Sequence, residues 1–76
     1  MKLPLMYAVK LIKILELKKY KKIRQKGSHV QFKNDEGILI TVPIHAGRPI
    51  GRGLLRKILR DMEISREEFL DLVKQV

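Results

Sequence analysis

The chain contains no cysteine and no tryptophan. Neither a disulfide framework nor a thiolate zinc site can staple it, so its stability must come from packing. The lack of cysteine also fits a reducing compartment. Its two histidines, His29 and His45, do not make a metal centre by themselves. Aromatic side chains are few (Tyr7, Tyr20, Phe32 and Phe69), which leaves no base-stacking platform of the RNA-recognition or cold-shock kind. Long apolar runs are missing too. In "MKLPLMYAVKLIKILELKK" the residues Lys10, Lys13 and Glu16 break the hydrophobic pattern, which excludes a signal-peptide core and a membrane span. A cytoplasmic protein is expected. No phosphate loop, GxGxxG, HExxH or GxSxG motif occurs, and the glycines of "HAGRPIGRG" lack phosphate-loop spacing.

With 76 residues, the chain has room for one domain, residues 1–76, around one modest core. Acidic charge is nearly absent from its first half. Residues 1–34 hold ten Lys/Arg against Glu16 alone, whereas residues 35–76 hold seven of each sign. All the excess of +9 therefore lies in the first half. A concentrated positive field favours a polyanion, because each phosphate it neutralises releases condensed counterions. A solubilising surface and a basic helix lying on a membrane are the other readings of the same charge.

Residues 5–18 place Ala8, Leu11, Ile12 and Leu15 at helical spacing, with Pro4 suited to a first turn. From Lys19 to Lys26 a basic run interrupted by Tyr20 and Ile23 suits a short exposed strand, whose lysines discourage edge-to-edge aggregation. Gly27-Ser28 turns the chain. In "SHVQFK", Val30 and Phe32 alternate with His29, Gln31 and Lys33, and "NDEG" makes a second turn. In "ILITV", Ile38, Ile40 and Val42 alternate with Leu39 and Thr41 before Pro43 ends the strand. After the loop "HAGRPIGRG", Ile50, Leu54, Ile58 and Met62 form a stripe widened by Leu55 and Leu59. Ser65 and Glu68 read as a capping box for a last helix, with Phe69, Leu72, Val73 and Val76 on its apolar face. The order predicts an α+β fold: three antiparallel strands with helices on one face and the other face open.

That alternation puts His29 on the open face, beside a glycine-serine turn in the most basic part of the chain. A histidine side chain titrates near neutrality, so it can move protons at physiological pH. RNA carries its own nucleophile, the 2′-hydroxyl beside each phosphate. A histidine that removes that proton, with cations on the developing phosphorane charge, suffices for metal-free RNA cleavage. Ser28 and His45 are accessory candidates. Ser28 can donate to phosphate or serve only the turn; His45 can be a general acid, a phosphate contact or a loop-fixing group. Lys26, Gln31, Lys33, Arg48 and Arg52 are the candidate RNA ligands.

The segments "RQKGSHVQF" and "ITVPIHAGRPIGRGLLRKILRDMEIS" resemble the HicA family of type II toxins, the YcfA-like mRNA interferases. The resemblance runs from about Leu5 to Phe69. It implies a double-stranded-RNA-binding-domain-like α-β-β-β-α fold with an added C-terminal helix. It also implies mRNA cleavage that arrests translation, without a cofactor, and a HicB-type antitoxin that covers the active face. Such a toxin would be a monomer alone and a hetero-oligomer with its antitoxin, docked on the first helix and the open sheet face. The family's catalytic histidine maps onto His29, and His45 matches its other recurrent histidine. Family members often carry Ser-Gly where this chain has Tyr7-Ala8, and Gly-Phe where it has Lys19-Tyr20. A non-catalytic RNA-binding module is the alternative reading, since double-stranded-RNA-binding domains mostly bind without cutting.

Overall fold

The computed structural model describes residues 3–76. The elements run α1 (Ala8–Leu17), β1 (Lys21–Lys26), β2 (His29–Lys33), β3 (Leu39–Pro43), α2 (Arg52–Met62) and α3 (Arg66–Gln75). The strands form one antiparallel sheet in the order β1-β2-β3. This is the expected α-β-β-β-α arrangement with a further helix at its C-terminal end.

Alternation in β2 and β3 sorts the two faces. Val30, Phe32, Ile40 and Val42 are buried and face the helices. They join Leu11, Ile14, Leu15, Leu55, Ile58 and Phe69 in a single core. The stripe of α1 is therefore a core face: Leu11, Ile14 and Leu15 are 0% exposed. No helix among the described residues is long and apolar enough to cross one. Ile14, absent from the expected stripe, is fully buried, while Ile12 is only partly so.

Pro4 lies outside α1, which begins four residues later than its position would suggest. The chain before it is extended. Met6 is bridged to Ile50, whose N–H donates to the Met6 carbonyl at 2.6 Å. Leu3 and Met6 are buried by this arrangement, and it holds Tyr7 in an extended conformation at the N-cap, without a side-chain cap bond. Core burial of two apolar residues outweighs one more helical turn.

Both α1 and α2 end in Schellman motifs. Tyr20 N–H donates to the Leu15 carbonyl and Lys19 N–H to that of Glu16; Ile64 and Glu63 make the same bonds to Leu59 and Arg60. The motif needs a left-handed residue, and here Lys19 (φ 68°) and Glu63 (φ 60°) take that role. Lys19-Tyr20, expected at the start of the strand, thus forms the helix stop instead. Burial raises the Tyr20 phenol pKa above its ordinary 10.0, and Glu36 and Glu63 add to the effect. Helix α2 starts at Arg52, so Arg52 and Gly53 belong to it and not to the loop.

Only half of the expected capping box forms. Ser65 Oγ accepts from Glu68 N–H at 3.0 Å. The Glu68 carboxylate turns away from the cap and accepts from Lys18 Nζ at 2.7 Å, tying α3 to the end of α1.

Candidate functional site

The site is built by one tight turn. Gly27, at φ 59°, opens a two-residue hairpin that pairs Lys26 with His29. A positive φ at the first central position is the type II′ pattern, whose twist matches that of the flanking strands. The pairing then continues to Gln25 with Val30 and Arg24 with Gln31, before a bulge at Ile23 shifts the register. On the other side His29 pairs with Pro43 and Gln31 with Thr41. Paired residues emerge on the same face, so the open face carries two short rows, Lys26–His29–Pro43 and Arg24–Gln31–Thr41.

Strand β1 is exposed along all six of its residues. The helices cover the inner face of β2 and β3 and leave β1 projecting beyond them. Four cations, Lys21, Lys22, Arg24 and Lys26, stand on this projecting edge. A bound anion can reach it without displacing any packed group.

A shallow groove of about 620 Å³ opens where the two rows meet the turn. His29, Ser28, Lys26 and Gln31 line it, together with Arg24, Thr41 and the Gly27 backbone. It holds one imidazole, two fixed cations, two hydroxyls and an amide, with no carboxylate on its walls. Such a set can accept a proton at His29 and stabilise negative charge beside it.

A second groove, about 370 Å³, begins on the other side of His29. Its floor is Leu39, Thr41 and Pro43 of β3, and its far wall is Leu54, Lys57 and Asp61 of α2. His29 and Thr41 line both grooves. Leu54, expected in the core stripe, is 36% exposed on this wall; Leu55 and Leu59 point inward in its place.

Four sequence-derived candidates, Lys26, Ser28, His29 and Gln31, meet in the first groove. Lys33 shares their face but sits four residues from His29 along β2, roughly 13 Å at the rise of a strand, and lines neither groove. His45 opens a turn closed by Arg48 N–H donating to its carbonyl at 3.1 Å, with Gly47 at φ 77°. This turn lies at the Gly27-Ser28 end of the sheet, since Ile44 N–H donates to the Ser28 carbonyl at 2.6 Å. His45 and Arg48 are exposed there, outside both grooves. Arg52 turns toward the N-terminal segment, its Nε 3.5 Å from the Leu3 carbonyl.

Arg24 and Thr41 were not among the sequence-derived candidates. Counting back from the two-residue turn would have found Arg24, since it stands two residues before Lys26 and opposite Gln31. Leu54, Lys57 and Asp61 had no comparable signal, because only the packing of α2 beside β3 brings them to His29.

A search of curated proteins returns no match. The family model described as the HicA toxin of bacterial toxin–antitoxin systems matches residues 9–64. That span runs from α1 through α2 and takes in the whole sheet and both grooves. On this match the chain belongs to the family of HicA toxins of bacterial toxin–antitoxin systems.

Proposed function

We propose that the protein is an mRNA-cleaving endoribonuclease that works without a metal and arrests translation until an antitoxin covers it. The observation that carries this reading is the first groove, in which one histidine stands beside the two cations of β1, Lys26 and Arg24, on an otherwise open face. RNA lies along the β1 side with a phosphate held by Lys26 and Arg24. The His29 imidazole takes the proton from the adjacent 2′-hydroxyl, and the 2′-oxygen attacks phosphorus. The lysine and arginine stabilise the charge gathering on the phosphoryl oxygens. The bond to the 5′-oxygen breaks, and that oxygen takes a proton from solvent, which reaches the open groove freely. The products are a 2′,3′-cyclic phosphate and a 5′-hydroxyl end. Ser28 and Gln31 donate hydrogen bonds that fix the phosphate. Lys33, the turn residue Arg48 and Arg52 at the start of α2 contact RNA away from the cut.

An antitoxin that blocks the groove has to cover the open sheet face and neutralise β1. Helix α1 packs against β3 and α3 on the opposite side of the sheet, so its contact with such a partner is not required for inhibition.

The test is cleavage of a labelled mRNA in EDTA by the parent and by His29→Ala, with folding of both checked by circular dichroism. Cleavage by the parent, none by the folded variant, and no cutting of a 2′-deoxy substrate are expected. If both proteins bind RNA equally and neither cuts it, the chain is an RNA-binding module without nuclease activity.

A further inference from the structure

Resting on the nuclease reading, the geometry points to the second groove as the pocket for a nucleobase flanking the cut, with Leu39 and Leu54 as its specificity-determining walls. The two grooves differ in chemistry and meet at His29 and Thr41. The first is cationic and takes phosphate. The second has an exposed apolar side chain on each side, Leu39 on the strand floor at 47% and Leu54 on the helix wall at 36% exposure. Large apolar side chains left open beside a charged anion site fit a ligand that is itself amphipathic. A nucleotide is such a ligand, since its base has an apolar face and is tethered to the phosphate through the ribose. The groove starts at His29 and extends to Leu39, four residues along β3 from the partner of His29, roughly 13 Å at the rise of a strand, so it takes a base flanking the scissile phosphate.

The far wall supplies polar groups for the base edge. Lys57 Nζ and Asp61 Oδ2 form an i,i+4 ion pair at 2.7 Å, and both border the groove. The pair offers one donor and one acceptor side by side at the rim, a pattern that hydrogen-bonds an exocyclic amino group beside a ring acceptor. Adenine and cytosine present that combination on their Watson–Crick edges. The groove therefore favours adenine or cytosine flanking the cut, held between Leu39 and Leu54.

The test compares the parent, Leu39→Asn, Leu54→Asn, Leu54→Met and Asp61→Asn on one labelled mRNA, mapping cut positions at single-nucleotide resolution. Val9→Asn, an exposed apolar position on α1 outside both grooves, is the control. The two leucine-to-asparagine variants are expected to cut roughly tenfold more slowly, the scale of losing one base contact. Leu54→Met, which keeps the wall apolar, should cut faster than Leu54→Asn; Val9→Asn should cut at the parental rate, and Asp61→Asn should shift the base preference near the cut. If the parent cuts but all five variants cut the same sites at its rate, the base-pocket inference is overturned and the nuclease reading stands. If the leucine variants cut normally but no longer bind the antitoxin, the groove belongs to the protein partner. A parent that cuts no RNA overturns both.

Discussion

Lys26 and His29 face each other across a two-residue turn, so an ammonium group and an imidazole rise from adjacent strands on one side of the sheet. Their Cα atoms are about 5 Å apart, as in any directly opposed antiparallel pair. Sequence neighbours thereby become neighbours in space at a point where no helix covers the sheet.

The salt response of RNA binding follows from this pairing. In a His29→Ala background, chosen because the proposed mechanism then leaves the RNA intact, Lys26→Ala and Arg24→Ala should each weaken binding. Each should also flatten the plot of log affinity against log salt by roughly 0.7, the counterion term for one lost contact on a single strand. Titrations between low and physiological salt measure it. An unchanged slope in both variants would remove the cationic groove from RNA binding.

Two left-handed residues mark sites of backbone strain. Lys19 and Glu63 hold φ values of 68° and 60° at the helix stops, where a side chain crowds the backbone. Lys19→Gly and Glu63→Gly should each stabilise the fold by about 1 kcal/mol. For a domain this small that is a rise in Tm of roughly 4–8 °C. Thermal melts of the two variants that fall below the parent would contradict the assignment.

The half-formed capping box predicts unequal costs. Ser65→Ala removes the cap of α3 and should cost about 1 kcal/mol. Glu68→Gln keeps the capped N–H and loses only the ion pair with Lys18, whose side chains are 35% and 43% exposed. A pair that open to water contributes between about 0 and 1 kcal/mol, and salt screens it. Urea unfolding should therefore rank Ser65→Ala below Glu68→Gln, with the gap widening at high salt. The reverse order would mean that Glu68 is the principal tie between α3 and α1.

Helix α3 lies beyond the residues matched by the family model, yet it completes the core. Phe69 is 0% exposed and Leu72 8%. Phe69→Ala should cost about 3–5 kcal/mol. The whole stability of a chain this long is roughly 4–11 kcal/mol, so a substantial unfolded fraction is expected at 37 °C. Circular dichroism and denaturant titration read it directly. A fully folded Phe69→Ala protein would make α3 an appendage.

Much of the architecture was legible because local patterns specify it. Val30/Phe32 and Ile40/Val42 alternate at period two, and Gly27-Ser28 fixes the register between His29 and Lys26. Ser65 marks the start of α3 through its short polar side chain. The misreadings arose where tertiary burial competed with a local preference. Pro4 suits a helix start, but Leu3 and Met6 gain more in the core, where the Met6 carbonyl meets Ile50 N–H. Leu54 fits the α2 stripe by spacing, but α2 lies beside the edge strand and turns that residue to the second groove.

By itself, the sequence determined the strand faces, the cationic excess of the first half and the exposure of His29, because side-chain direction along a strand follows from residue parity alone. Only the tertiary structure decided what His29 stands between. The helices stop short of β1 and leave it open to an anion, while α2 packs beside β3 and raises an apolar wall. Such placements depend on how separate elements share one core, and no local pattern encodes that.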